Sequence, residues 1–494
     1  MADINDTQMI LEENDSVLDV PKIALHGRTT IYTPLTEVTE QNVVSVLRKA
    51  LTVHVINQAE IEYLYNYYRG VQPILVKKKP VRPEINNKVA ENHALEIADF
   101  VSGYFLGEPI TYVRRGEDED LTGDIDRLND YMYLNDKAAL DEELAEWLAI
   151  CGVGYRMVLP VEGEYKPDSG LAPFEIDILD PRDTFVVYNS GFGHKPVMCV
   201  TSRVDQRNES LITVYQVYTH DRYYEIDNGS TITVNTPHDL PFLPIFEYDL
   251  NMSKLGSFEP AIPVLDAINQ ATSGRLDGLE QFVQSFLKFK NVEIDEEKIG
   301  TLKSMGAISF KSYPGMDGDV SLISSELNQE QIQCFIDYLY DKALIICGLP
   351  TTTKGGSSTS DTGAAVILRD GFVQAESKAR KTEMRFKKAE RSFLALVLAI
   401  CSNRNAPLNI NLNEVECKFT RRQHDNLQSK VQALLGMLQA GLNPEVAIAN
   451  CGLFNDPMDV AIQSRETLRK WDFIPMSEEP TQDEEGGETE VTGA

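Results

Sequence analysis

Residues 328–363 read NQEQIQCFIDYLYDKALIICGLPTTTKGGSSTSDTG, and AAVILRDGFVQAESKARKTEMRFKKAERSFLALVLAIC follows over 364–401. In the first part Ile332, Phe335, Ile336, Leu339, Ala343 and Ile346 recur every three or four residues, which places them on one helical face. Gly348 suits the left-handed position after a helix, and Pro350 cannot continue one. From Thr351 to Gly363 there is no large apolar residue, and from Ala364 a helical pattern resumes to Cys401. A segment with nothing to bury, held between two long helices, is either slack or displayed for use.

The flanking sequence frames that choice. With 494 residues the chain is long enough for two to four domains or one elongated multi-part subunit, and its 42% hydrophobic content suits packed cores. A net charge of −30 argues against a broad basic surface gripping nucleic acid, though a polyanion can pass between repelling walls. The seven cysteines are scattered without a CxxC pair, which predicts free thiols and a reducing compartment. The start of the chain lacks the basic-then-apolar layout of a signal peptide. Its longest apolar run, the nine residues Phe393–Cys401, is too short to span a bilayer, so no membrane partner is expected.

In order, residues 1–36 read as poorly ordered. Helices are expected over Glu37–Tyr68, Asn87–Phe105, Leu121–Leu134 and Lys137–Ile150. Lys77-Lys78-Lys79-Pro80 can meet phosphates, but beside proline its plainer reading is a solvated linker. Seven strands follow between Tyr155 and Val234, separated by turn chemistry at Asp180-Pro181, Asn189-Ser190-Gly191 and Asp227-Asn228-Gly229. Helices first and an antiparallel sheet after make an α+β fold. A third long helix is expected over Pro260–Phe289, with short strands and turns to Ile323. Beyond the opening stretch come a strand at Cys417–Thr420 and helices near Asp425–Ala440, Asn443–Asn450 and Pro457–Trp471. Residues 477–494 carry seven acids and no base and read as a disordered tail.

Signatures of catalysis are missing. Lys354-Gly355-Gly356-Ser357 fails as a P-loop, because the lysine precedes the glycines and a helix lies upstream. There is no GxSxG, HExxH or His–Cys cluster at ligand spacing, so neither enzyme activity, a cofactor nor a metal is expected. Glu376–Arg391 holds seven bases against three acids. Its Lys378, Arg380, Lys381, Arg385, Lys387 and Lys388 form either an ion-paired helix face or subunit contact, or a positive band toward DNA.

Several ordered segments resemble one family. Tyr104-Phe105-Leu106-Gly107-Glu108-Pro109-Ile110 resembles a helix-ending Gly-Glu-Pro turn. Leu243-Pro244-Ile245-Phe246-Glu247-Tyr248 with Asp266-Ala267-Ile268-Asn269 and Ser273 resembles the lead into a stem helix. Gly355-Gly356, then Thr362-Gly363-Ala364-Ala365 and a basic helix, resembles a loop and kinked helix. Together, over about residues 60–470, they resemble the portal proteins of tailed double-stranded DNA bacteriophages, the class found in long-tailed phages of Gram-positive bacteria. Thr362 replaces the expected serine, and the hydroxyl-rich loop is longer than the compact family loop.

The resemblance implies a cyclic homo-oligomer, usually of about twelve subunits, at one capsid vertex. It implies a wing over 1–256, stem helices over 257–290 and 324–347, and a clip over 291–323. It further implies a tunnel loop over 348–363, a long kinked helix over 364–404 and a crown over 405–476. Thr351, Thr352, Thr353, Lys354, Gly355, Gly356, Ser357, Ser358, Thr359 and Ser360 would face double-stranded DNA passing without sequence specificity. The large terminase subunit would supply ATP hydrolysis and a head–tail adaptor would later replace it. Major capsid and scaffolding proteins would be further partners, and the subunit would pass from host cytoplasm to the virion. The alternative is an oligomeric capsid or tail adaptor with no conduit role.

Overall fold

The structure, a computed structural model, describes residues 25–464 apart from 81, 116–121, 167–169, 208–209, 284–285, 291, 294–310, 313–318, 324–328, 352–371, 422–426, 452, 455–459 and 462–463. The fold is α+β with mainly antiparallel sheets. Strand β1 (Ile31–Thr33) leads into helix α1 (Val43–Tyr68), and helices α2 (His93–Leu106), α3 (Thr122–Leu134) and α4 (Lys137–Cys151) flank strand β2 (Thr111–Arg114). Strands β3 (Val153–Pro160), β4 (Phe174–Leu179), β5 (Thr184–Asn189), β6 (Pro196–Arg207), β7 (Ser210–Tyr218), β8 (Arg222–Asp227), β9 (Thr231–Pro237) and β10 (Ile245–Asp249) follow. One sheet has the order β1-β5-β6-β7-β8-β9, antiparallel except for the parallel β1–β5 pair, and a second has the order β10-β3-β4.

Helix α1 belongs to two cores. Val43, Val46, Leu47 and Ala50 pack with Phe185, Val187, Val200 and Val217 of the larger sheet. Ile61, Leu64 and Tyr67 instead join α2, the end of α4 and the roots of the helical hairpin that follows. The step of three or four residues holds throughout; only the partner changes.

That hairpin consists of α5 (Ile262–Val283), the strand pair β11 (Phe286–Lys290) and β14 (Asp319–Ile323), and α6 (Gln329–Cys347). Between the paired strands, β12 (Val292–Glu293) meets β13 (Lys311–Ser312). Arg275 near the end of α5 reaches Gln329 in the first turn of α6 at 2.6 Å, so the two helices run antiparallel. Helix α7 (Phe372–Asn403) then packs on β10, β3 and α2. Strand β15 (Val415–Lys418) returns to pair with β2, ahead of α8 (Leu427–Gln439) and α9 (Pro444–Cys451).

Four expectations are corrected. The part of residues 1–36 that is described, 25–36, is ordered: Ile31 is buried beside β5, and Arg28 donates to Glu259 at 2.7 Å and to the Cys151 carbonyl at 2.8 Å. A three-residue edge strand whose partner lies about 150 residues away leaves no local periodicity to read. Residues 87–92 are extended, not helical, because their amides are taken by α5 side chains rather than by their own carbonyls. Helix α5 stops at Val283, and Phe286–Lys290 is a strand because residues 319–323 lie alongside to complete its ladder. Ile245–Asp249, read only as a lead-out, is an antiparallel partner of β3. The expected strand Ala307–Phe310, the acidic tail 477–494 and nearly all of the expected helix Pro457–Trp471 lie outside the described residues.

All seven cysteines are free thiols, six of them buried. No helix among the described residues is long and apolar enough to cross a membrane.

Candidate functional site

The hydroxyl-rich segment has well-built roots. Helix α6 ends on Gly348 at φ +77°, with the Gly348 amide donating to Ile345 O at 3.1 Å and the Leu349 amide to Leu344 O at 2.9 Å. These bonds satisfy carbonyls that a helix end otherwise leaves open. Glycine is needed twice over, since a Cβ at this position would lie 2.6 Å from Lys378 Cδ. Lys378 crosses from α7 to donate to Ile346 O at 3.0 Å, a cation placed on the negative end of the α6 dipole. Phe372, the first residue of α7, lies against Phe100 and Tyr104 of α2, and the Tyr104 hydroxyl donates to Glu376 at 3.1 Å. The α7 end of the segment is therefore fixed to α2, and the α6 end to α7 through Lys378.

Of the ten loop residues, Thr351 is described and buried. Thr352, Thr353, Lys354, Gly355, Gly356, Ser357, Ser358, Thr359 and Ser360 lie outside the described residues. So do 364–371, the expected start of the long helix.

The six bases on α7 do not form a single band. Arg380 pairs with Glu376 at 2.7 Å, Arg385 with Asp249 at 2.9 Å and Lys387 with Glu383 at 2.9 Å. Arg421 joins from beyond β15, bonding Glu376 at 3.1 Å and Glu383 at 2.7 Å. Burial opposes ionisation of Glu376, but hydrogen bonds from Arg380, Arg421 and Tyr104 outweigh it and hold its carboxyl below the usual range. Lys378 caps α6, whereas Lys381 and Lys388 are exposed and make no ion pair among the described residues. The lysine linker is also engaged: Lys77 and Lys79 reach Asp277 at 3.5 and 3.2 Å.

Two further arrangements emerge, the first not legible in the sequence and the second legible only in part. The first sits under α7, where Glu390, fully buried, accepts from Arg156 at 2.8 Å, the Tyr248 hydroxyl at 2.7 Å and the Tyr112 hydroxyl at 2.5 Å. Lys137 lies 3.1 Å from Glu390 and 2.7 Å from Asp141, which also contacts Arg156. Two buried cations thus face two buried anions, tying α7 to α4, β2, β3 and β10. Burial would raise the Glu390 pKa, but the cations and hydroxyl donors overcome it and bring it down to about 2. Aromatic rings of Tyr248 and Phe393 lie within 5.1 Å of the Arg156 guanidinium carbon, so the charge is enclosed on its faces as well as its edges.

The second lies at the base of α5. Asn269, Ser273 and Asp277, one helical turn apart, accept from the amides of Glu91 at 2.8 Å, Val89 at 2.9 Å and Asn87 at 2.7 Å. A helix face of period four thereby serves as the hydrogen-bonding partner of an extended segment of period two. Asp266 accepts from Tyr67 at 2.9 Å in the same row. Asp266, Asn269 and Ser273 were already singled out by resemblance, and their i, i+3, i+7 spacing was the available signal.

Comparison with known proteins gives one family. Residues 54–472 match the phage portal proteins described as SPP1 Gp6-like. No curated protein matches the chain. Among solved structures, a chain from the neck of an empty GTA particle, computed with C6 symmetry, is 14% identical with a TM-score of 0.44. The overlap covers 73% of this chain and 90% of that one, a likeness too loose to carry an argument here. The family match takes in α2, α7, the α5–α6 hairpin and both polar arrangements, and by it this chain belongs to the SPP1 Gp6-like phage portal protein family.

Proposed function

We propose that the chain is the subunit of a closed ring at one capsid vertex, through which double-stranded DNA is packaged and later ejected. The observation that carries this reading is the family match over residues 54–472. The hairpin supports it: Phe335 and Tyr338 on α6 and Leu276 and Leu279 on α5 leave large apolar side chains exposed on the single chain. Such a surface suits contact with the next copy, and a heterologous contact repeated by rotation closes a ring.

In this ring residues 1–256 form the wing, 257–290 and 324–347 the stem, 291–323 the clip and 405–476 the crown. The 348–363 segment faces the channel, with the 364–404 helix behind it. Lys354, the small hydroxyl residues and the exposed Lys388 supply weak contacts to phosphates, while the acidic total discourages tight binding that would stall DNA. The subunit guides DNA and does not hydrolyse ATP; the large terminase subunit docks on the clip and an adaptor later takes its place. Capsid and scaffolding proteins surround the ring in the assembling virion.

Negative-stain microscopy of the purified chain across a range of salt concentrations tests the reading. Rings with a central channel are expected. A monodisperse monomer under every condition, or ATP turnover by the chain alone, would overturn it.

A further inference from the structure

A cleft of about 590 Å³ lies where the last turn of α6, the first turns of α7, the end of α2 and the 250–260 connection meet. Phe100 and Tyr104 line it, and Met252, Met384 and Ile346 stand 84%, 67% and 42% exposed along it. Its rim is basic. Arg385 is held by Asp249, whereas Lys378 donates to a carbonyl, and neither Lys378 nor Lys381 makes an ion pair among the described residues. Burial lowers the Lys378 pKa, against the opposing pull of Cys347 and with a smaller push from the charge of Lys381. Such a cleft fits a short apolar segment with carboxylates beside it.

The chain carries one. Residues 471–479 read Trp-Asp-Phe-Ile-Pro-Met-Ser-Glu-Glu and open the only long stretch without a base near the C-terminal side, with seven acids over 477–494. It can reach the cleft. The Phe454 carbonyl accepts from Lys418 at 3.3 Å, and Phe419 stacks at 5.4 Å on Phe105, which lines the cleft. Residues 460, 461 and 464 are helical, and at helical rise the chain from Phe454 to Trp471 spans roughly 25 Å.

We propose that residues 471–479 dock in this cleft, with Trp471, Phe473, Ile474 and Met476 on its apolar floor and Glu478 and Glu479 at Lys378 and Lys381. This goes beyond the conduit reading and does not rest on it, since docking within one chain needs no ring.

Two measurements on the full chain test it. With Trp147→Phe, Trp471 is the only indole left, and its emission should be blue-shifted and poorly quenched by acrylamide. Met384→Glu, at an exposed position, should red-shift it and raise quenching, as should Lys378→Glu combined with Lys381→Glu. Independently, hydrogen exchange in the last turn of α6 and the first turns of α7 should quicken about tenfold in a chain ending at Lys470. An indole already exposed with the cleft intact would overturn the proposal, as would exchange there unchanged by removing 471–494. Protection that follows oligomerisation instead of the tail would assign the cleft to a second copy and overturn it equally.

Discussion

Glu390 shows how one residue can organise an element. In sequence it is one acid among seven bases and looks like a surface charge. In the fold it is enclosed, with Arg156, Lys137 and two tyrosine hydroxyls spending their donors on it. Glu390→Gln should lower stability by about 3–5 kcal/mol, because it leaves the buried Lys137 and Arg156 to share one anion, Asp141. A urea titration checks this, and a loss under about 1 kcal/mol would sink it. The Glu390 pKa lies at about 2, below the ordinary value, so its contribution is whole above pH 4.5 and fades as pH falls toward 2. His54 adds a second acid-side effect. It packs at 4.5 Å on Phe185 beside the Arg182 carbonyl, 2.9 Å from Nε2, and burial lowers its pKa to about 4 despite that carbonyl. The unfolded chain therefore binds the proton first: stability is full above pH 6.5 and should drop by up to about 3 kcal/mol toward pH 4. His54→Gln should flatten that slope in melts run across pH 4–7; an unchanged slope would rule His54 out as its source.

At the scale of elements, the junction of α6 and α7 is where helix-ending chemistry and tertiary contact coincide. Gly348→Ala meets both a left-handed backbone and the Lys378 side chain. It should cost about 1–2 kcal/mol, of which Lys378→Ala should relieve the steric part and leave about 1 kcal/mol of backbone strain. Thermal melts of the two single variants and the pair give the coupling, and strict additivity would mean that the two side chains do not compete for this space. Helix α6 and the stop at Gly348 were legible because apolar spacing and left-handed glycine are local signals. The extended run 87–92 was not: its apolar residues suit a helix, and only the waiting acceptors Asn269, Ser273 and Asp277 make extension the cheaper state.

For the whole molecule, assembly and passage of DNA separate cleanly in their expected responses. Deleting Gly355–Ser360 should impair packaging and leave rings intact in micrographs, because the contacts of Lys378, Phe372 and Glu390 that anchor α6 and α7 are made by residues outside the deletion. Lost rings would assign those residues to the subunit contact instead. Lys354→Ala should reduce packaging only in part, since one cation per subunit is a small share of many weak phosphate contacts.

The sequence by itself determined the α+β order, the positions of most helices and strands, the glycine stop of α6 and the family. Each depends on spacing within a few turns or on motifs in a fixed order. The tertiary structure alone decided that Ile31–Thr33 is an edge strand, that α5 yields to a strand at Phe286 and that Lys77 and Lys79 are tied to Asp277. It also gave Arg385 its distant partner Asp249 and left Lys381 and Lys388 exposed, whereas the Arg380–Glu376 and Lys387–Glu383 pairs follow from i,i+4 spacing on one helix. The physical reason is common to all of these. A hydrogen bond or ion pair is set by a partner brought close in space, and residues 114 and 415, or 156 and 390, become neighbours only when the chain has folded.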